Sequence, residues 1–82
     1  MSKPVTIYTT QTCGYCRATK EFFKEHNVSY TEYDVGVDRE KAKEMIEKSG
    51  QMGVPVIVIG EGDQADLIVG FDQPRLTEVL GL

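Results

Sequence analysis

The stretch Thr12–Phe23, TCGYCRATKEFF, holds both cysteines of an 82-residue chain and the first apolar face of a helix. From Tyr15 onward, Tyr15, Ala18, Phe22 and Phe23 recur at i, i+3, i+7 and i+8, the spacing of one helical face. Just upstream, Val5–Tyr8 (VTIY) alternates apolar and polar residues and is rich in β-formers, which predicts a strand. The cysteine pair therefore marks a strand-to-helix turn, with Cys13 at the turn and Cys16 one turn into the helix. Cysteines this close cannot cross-link distant parts of a fold.

Outward from that turn the periods keep alternating. Asn27 follows the helix and tolerates a left-handed cap, and Val28–Val35 (VSYTEYDV) is again strand-like. Asp38 is an N-cap for a second helix that turns Ala42, Met45 and Ile46 inward and ends at Gly50. Glu44 and Lys48 have the i, i+4 spacing of an ion pair on its outer face, where the charges of Asp38–Lys48 are solvated. The run Val54–Gly60 (VPVIVIG) is continuously apolar, as a central strand is. A polar turn from Gly60 to Asp66 returns the chain into Leu67–Gly70 (LIVG), a hairpin. Gln73-Pro74 opens a last helix with Leu76, Val79 and Leu80 inside and Pro74 in the first turn, where no N–H is missed. The order is βαβαββα. A βαβ unit pairs its strands in parallel and a hairpin adds antiparallel ones, so a four-stranded mixed sheet between helix layers is expected, an α/β/α sandwich.

Composition narrows the function. Eighty-two residues make one small domain, 1–82, that buries about 60% of its unfolded surface. Nine basic against 13 acidic side chains give a net charge of −4, which leaves no basic stripe for nucleic acid or an anionic membrane. Met1-Ser2-Lys3-Pro4 runs straight into the first strand, with no apolar signal core and no run long enough to span a bilayer. The expected compartment is the cytoplasm, whose reducing poise disfavours structural disulfides.

The first amide N–H groups of a helix lack internal partners, and the helix dipole adds positive charge there, so both favour a thiolate at Cys13. Cys16 lies on the same face and deeper, suited to resolving a mixed disulfide, and Gly14 keeps the approach open. Other uses of the pair exist. A staple closing so short a loop removes little chain entropy. A zinc site needs four ligands, and His26, a solvated residue at the helix end, stands too far along from the cysteines. Two chains could together hold an iron–sulfur cluster, a secondary property beside dithiol redox chemistry. No metal is assigned to the single chain. Val54-Pro55, preceded by Gly53, stands at the start of the apolar strand, where a trans proline opening the strand and a cis turn are both open.

Three motifs in this order, CxxC at the first turn, Val-Pro before the third strand and Gly-x-Asp before the last helix, resemble the glutaredoxin family across essentially the whole chain. The resemblance implies a thioredoxin-like fold and a thiol–disulfide oxidoreductase with Cys13 as nucleophile and Cys16 as resolving thiol. It implies a cis Pro55 facing the pair, and a groove between Tyr15, Val54 and Asp72 for glutathione as cosubstrate, with no cofactor permanently bound. In that picture the Val54 backbone pairs with the ligand's cysteine residue, and the amides of Phe71 and Asp72 receive its γ-glutamyl carboxylate. The Asp72 carboxylate meets the ligand's ammonium group, Gln51 offers a neutral hydrogen bond to a carboxylate, and Thr12 also belongs to the binding set. Tyr15, between reactive cysteines, is expected exposed rather than buried.

The chain departs from the family's usual pattern in several places. Gly14 stands where CPYC has proline, Thr10 where a lysine is common, and Gly53 where threonine precedes Val-Pro. Val69-Gly70-Phe71-Asp72-Gln73 replaces Gly-Gly-x-Asp-Asp, and its Gly-Phe pair is closer to redoxins reduced by thioredoxin reductase. The expected partners are thus glutathione and disulfide-containing proteins, with thioredoxin reductase the alternative electron donor. The expected state is a monomer, with a glutathione-ligated [2Fe–2S] dimer acting as cluster carrier as the rival.

Overall fold

The elements follow the predicted order in a computed structural model that describes residues 3–62 and 65–82. They are β1 (Val5–Thr9), α1 (Gly14–Glu25), β2 (Thr31–Asp34), α2 (Arg39–Ser49), β3 (Val56–Ile59), β4 (Asp66–Val69) and α3 (Gln73–Leu80). The sheet runs β2-β1-β3-β4, with β1 parallel to β2 and antiparallel to β3, and β3 antiparallel to β4. It is the mixed four-stranded sheet expected. The leader reading of Met1-Ser2 and the tip of the Gly60–Asp66 turn, residues 63 and 64, lie outside the described residues.

Strand alternation divides the core in two. Val5, Ile7, Ile57, Ile59 and Ile68 face Phe22 and Phe23 of α1 and Leu76 of α3. Tyr8, Val56 and Val58 face the other way, against Met45 of α2. The row Ile7, Ile57 and Ile68 crosses three strands in register. Each such fully buried aliphatic or aromatic side chain contributes roughly 1.5–3 kcal/mol by leaving water.

Several local expectations change. β2 begins at Thr31 rather than Val28, because Asn27 takes a left-handed φ of 55° and the Val28 N–H closes α1 by donating to the Phe23 carbonyl at 2.8 Å. Ile46 is 38% exposed, since α2 covers only a narrow strip of sheet and Met45 fills it. Glu44 accepts hydrogen bonds from the Tyr8 hydroxyl at 2.7 Å and from Lys41 at 3.4 Å, instead of pairing outward with Lys48. The caps fall as predicted: Asp38 accepts from the Lys41 N–H, and Gly50 takes the left-handed position.

Candidate active site

β1 and β3 run antiparallel with Tyr8 opposite Val56, so the C-terminal end of β1 lies beside the start of β3. Val56 in turn pairs with Val69, which brings the segment after β4 to the same end. Three connections therefore meet at one end of the sheet: Thr10–Cys13, Val54-Pro55 and Gly70–Asp72. Register alone gathers them.

Cys13 is the N-cap of α1, with extended backbone (φ −86°, ψ 111°). Its Sγ accepts the Cys16 N–H at 3.0 Å, the role usually taken by a serine or aspartate oxygen. Cys13 and Cys16 form a disulfide with a Cα–Cα distance of 5.2 Å. Cys16 is buried at 1% exposure, while Cys13 is reachable from solvent. A Cβ at position 14 would meet nothing within 4 Å, so Gly14 leaves the approach clear. Tyr15 stands 70% exposed beside the pair, on a different side of the first turn of α1 from the buried Cys16. Thr12 is exposed as well.

On the β3 side of the cysteines the Val54–Pro55 peptide is cis and Pro55 is buried. Its carbonyl accepts the Gly70 N–H at 2.8 Å, tying the two connections together. Asp72 caps α3, one carboxylate oxygen accepting the Arg75 N–H at 3.1 Å. The Phe71 ring packs against the core, edge-on to Phe22 at 6.0 Å. Gln51 departs from expectation. Its amide donates to the Gly53 carbonyl (3.0 Å) and accepts the Gly53 N–H (2.7 Å), so it braces the loop before Val54 instead of reaching outward.

The β2 side is polar. A cleft of about 250 Å³ opens between Thr10, Cys13, Arg17, Lys20, Glu32 and Asp34. Glu32 accepts from the Thr9 hydroxyl at 2.7 Å and from Lys20 at 2.9 Å, and these contacts, Thr9 foremost, hold its carboxyl below the usual range. Asp34 accepts the Gly36 N–H. Nothing in the sequence separates Arg17 or Lys20 from any solvated helix charge; only the fold places them here. Thr19 was hidden for the opposite reason. It is polar yet fully buried, because its hydroxyl donates to the Tyr15 carbonyl at 2.8 Å, and its place three and four residues before Phe22 and Phe23 was the available signal.

A larger cleft of about 840 Å³, lined by Thr6, His26, Tyr30 and Glu78 among others, contains neither cysteine. It sits at the other end of β1, so size and chemistry disagree, and the thiols identify the site. Among the described residues, no group of three or more His, Cys, Asp or Glu side chains is arranged to hold a metal, and no helix is long and apolar enough to cross a membrane.

Known proteins share this arrangement. The profile of the glutaredoxin family matches residues 5–63. An uncharacterized glutaredoxin-like 8.6 kDa protein from the rubredoxin operon of Clostridium pasteurianum is 36% identical over 76 residues, covering 93% of this chain and 96% of that one. Glutaredoxin 3 of Escherichia coli is 40% identical over 55 residues, 67% of this chain and 66% of its own. Among solved structures, the glutaredoxin-like protein NrdH-redoxin from Escherichia coli, described as having a thioredoxin-like activity profile, superposes with a TM-score of 0.75 at 25% identity, over 93% of each chain. The sheet, the cysteine pair on the first helix and these matches agree: the chain belongs to the glutaredoxin family, redox proteins of thioredoxin-like fold whose general activity is thiol–disulfide exchange.

Proposed function

We propose that this protein is a glutathione-dependent reductase of protein and glutathione mixed disulfides, with Cys13 as nucleophile. One observation carries the assignment: the Cys16 N–H, at the positive end of α1, points at the Cys13 sulfur. In the reduced protein that N–H and the helix dipole favour a thiolate at Cys13. The thiolate attacks one sulfur of the substrate disulfide, forming a mixed disulfide, and the other sulfur leaves as a thiolate that takes up a proton. Cys16 then attacks the Cys13 sulfur, expelling the second substrate thiol and leaving the Cys13–Cys16 disulfide. Two electrons pass to the substrate, and two molecules of glutathione restore the dithiol as they become glutathione disulfide.

The residues of the β3 side fit glutathione as cosubstrate. The Val54 backbone, at the cis step before β3, is available to pair with a ligand's main chain. The N-terminus of α3 offers amides to a carboxylate, and the second Asp72 oxygen remains for an ammonium group. Thr12 and Tyr15 flank the nucleophile, and Gln51 acts through Gly53. Thioredoxin reductase is the second candidate donor, favoured by Thr10 in place of a lysine and by the Gly-Phe pair, a feature in keeping with the NrdH-redoxin likeness. The proposed setting is a reducing cytoplasm, where the chain works as a single-domain monomer.

Turnover of a glutathionylated peptide tests this. The glutathione/glutathione reductase couple should sustain it, and Asp72→Asn, which keeps a cap but loses the charge, should raise KM several-fold. Robust turnover by thioredoxin reductase, with kinetics unaltered in Asp72→Asn, would reverse the choice of donor.

A further inference from the structure

The nucleophile stands between two unlike surfaces. The β3 side presents the cis Val54-Pro55 step and the N-terminus of α3; the β2 side presents the charged cleft of about 250 Å³. The charges of that cleft are not equivalent. Lys20 is committed to Glu32 at 2.9 Å, and Glu32 also receives the Thr9 hydroxyl. Asp34 holds the Gly36 N–H. Among the described residues, the Arg17 guanidinium has no hydrogen-bonding or ionic partner, although it lines the same cleft as the Cys13 sulfur, one helical turn along. A guanidinium is a planar fork of donors matched to a carboxylate. Neither acid of the cleft, Glu32 or Asp34, lies within ion-pair distance of it.

We infer that Arg17 and this cleft form a second subsite, which takes the carboxylate of an aspartate or glutamate lying close to the target cysteine of a protein substrate. Size selects the occupant. Pockets for whole small ligands measure roughly 300–1,000 Å³. A cleft of about 250 Å³, open to solvent, accommodates one side chain but not a tripeptide. The inference rests on the oxidoreductase assignment and adds a substrate preference to it.

Prereduced protein would be mixed in single turnovers with symmetric disulfide dimers of a short peptide carrying Glu or Gln beside its one cysteine, and released peptide thiol followed. No external reductant is needed, since Cys13 and Cys16 supply both electrons. At low salt the Glu peptide should react about three- to fivefold faster, the size of an exposed ion pair. Arg17→Gln should erase that ratio and Arg17→Glu invert it, with unchanged melting curves because the side chain is exposed and unpartnered. Equal rates for the two peptides in the unmodified protein, or a ratio that survives Arg17→Gln, would overturn the subsite. An Arg17-dependent preference seen only with small carboxylate-bearing disulfides, and not with the peptide dimers, would overturn its assignment to protein substrates. Failure to reduce either peptide would instead overturn the oxidoreductase assignment beneath it.

Discussion

The hydroxyl of Tyr8 donates to the carboxylate of Glu44 at 2.7 Å, joining β1 to α2 across 36 positions. Lys41 adds a second contact to the same carboxylate and lies over the Tyr33 ring at 4.2 Å. Burial, then the bond to Glu44, pushes the Tyr8 hydroxyl well above its ordinary value, so it stays protonated and donating. Tyr8→Phe keeps the buried ring and removes only the donor. Glu44 is partly solvated, so the loss is about 1 kcal/mol, or a Tm lower by about 4–8 °C. Calorimetry checks this, and an unchanged Tm would show the bond to be energetically idle.

Acid should weaken the fold through two carboxylates. Glu32 is held below the ordinary value of 4.5 chiefly by the Thr9 hydroxyl, and Glu44 chiefly by Tyr8. Each binds fewer protons folded than unfolded, so its contribution is complete above that value and lost as pH falls through the depressed one. The urea midpoint should therefore decline below about pH 4.5, and decline less in the Glu32→Gln, Glu44→Gln double variant. Parallel curves for the two proteins would contradict this.

Alkylation should distinguish the thiols. In the reduced protein Cys13 is reachable and Cys16 is 1% exposed, so iodoacetamide at mildly acidic pH should label Cys13 more than tenfold faster. Cys13→Ser should abolish disulfide reduction, whereas Cys16→Ser should accumulate mixed disulfides with protein substrates. Faster labelling of Cys16 would reverse the roles.

Gln51 and Gly53 should act together. A Cβ on residue 53 would lie 2.8 Å from the Gln51 side-chain oxygen, so Gly53→Ala displaces the brace that Gln51→Ala deletes. Each should raise KM for a glutathionylated substrate about two- to fivefold while the melting temperature moves little, because the loop is exposed. The double variant should resemble either single one. Additive losses would mean that Gln51 contacts the substrate directly.

Local pattern made most of the fold legible. Alternation in VTIY, the continuously apolar run VIVI, the cap at Asp38 and the left-handed glycine at position 50 all depend on near neighbours. The departures came from distant partners. Glu44 left its helix neighbour Lys48 for Tyr8, and Val28 gave its N–H to α1 rather than to the sheet. The site divides in the same way. The cysteine pair and the Val-Pro step are visible in the sequence, but the two bonds of Gln51 to Gly53 exist only once the loop has formed, so no local pattern announces them. Arg17 gains meaning only when β2 lies alongside α1.

The sheet has two open edges, and open edges invite other chains to pair with them. β2 carries Glu32 and Asp34 along its four residues, and β4 begins with Asp66. Two copies meeting at β2 would confront carboxylate with carboxylate, on top of a net charge of −4. The same acidic balance thus guards against fibrillar stacking, and solutions near neutral pH should remain clear at concentrations where charge-neutralised variants of the β2 edge turn cloudy.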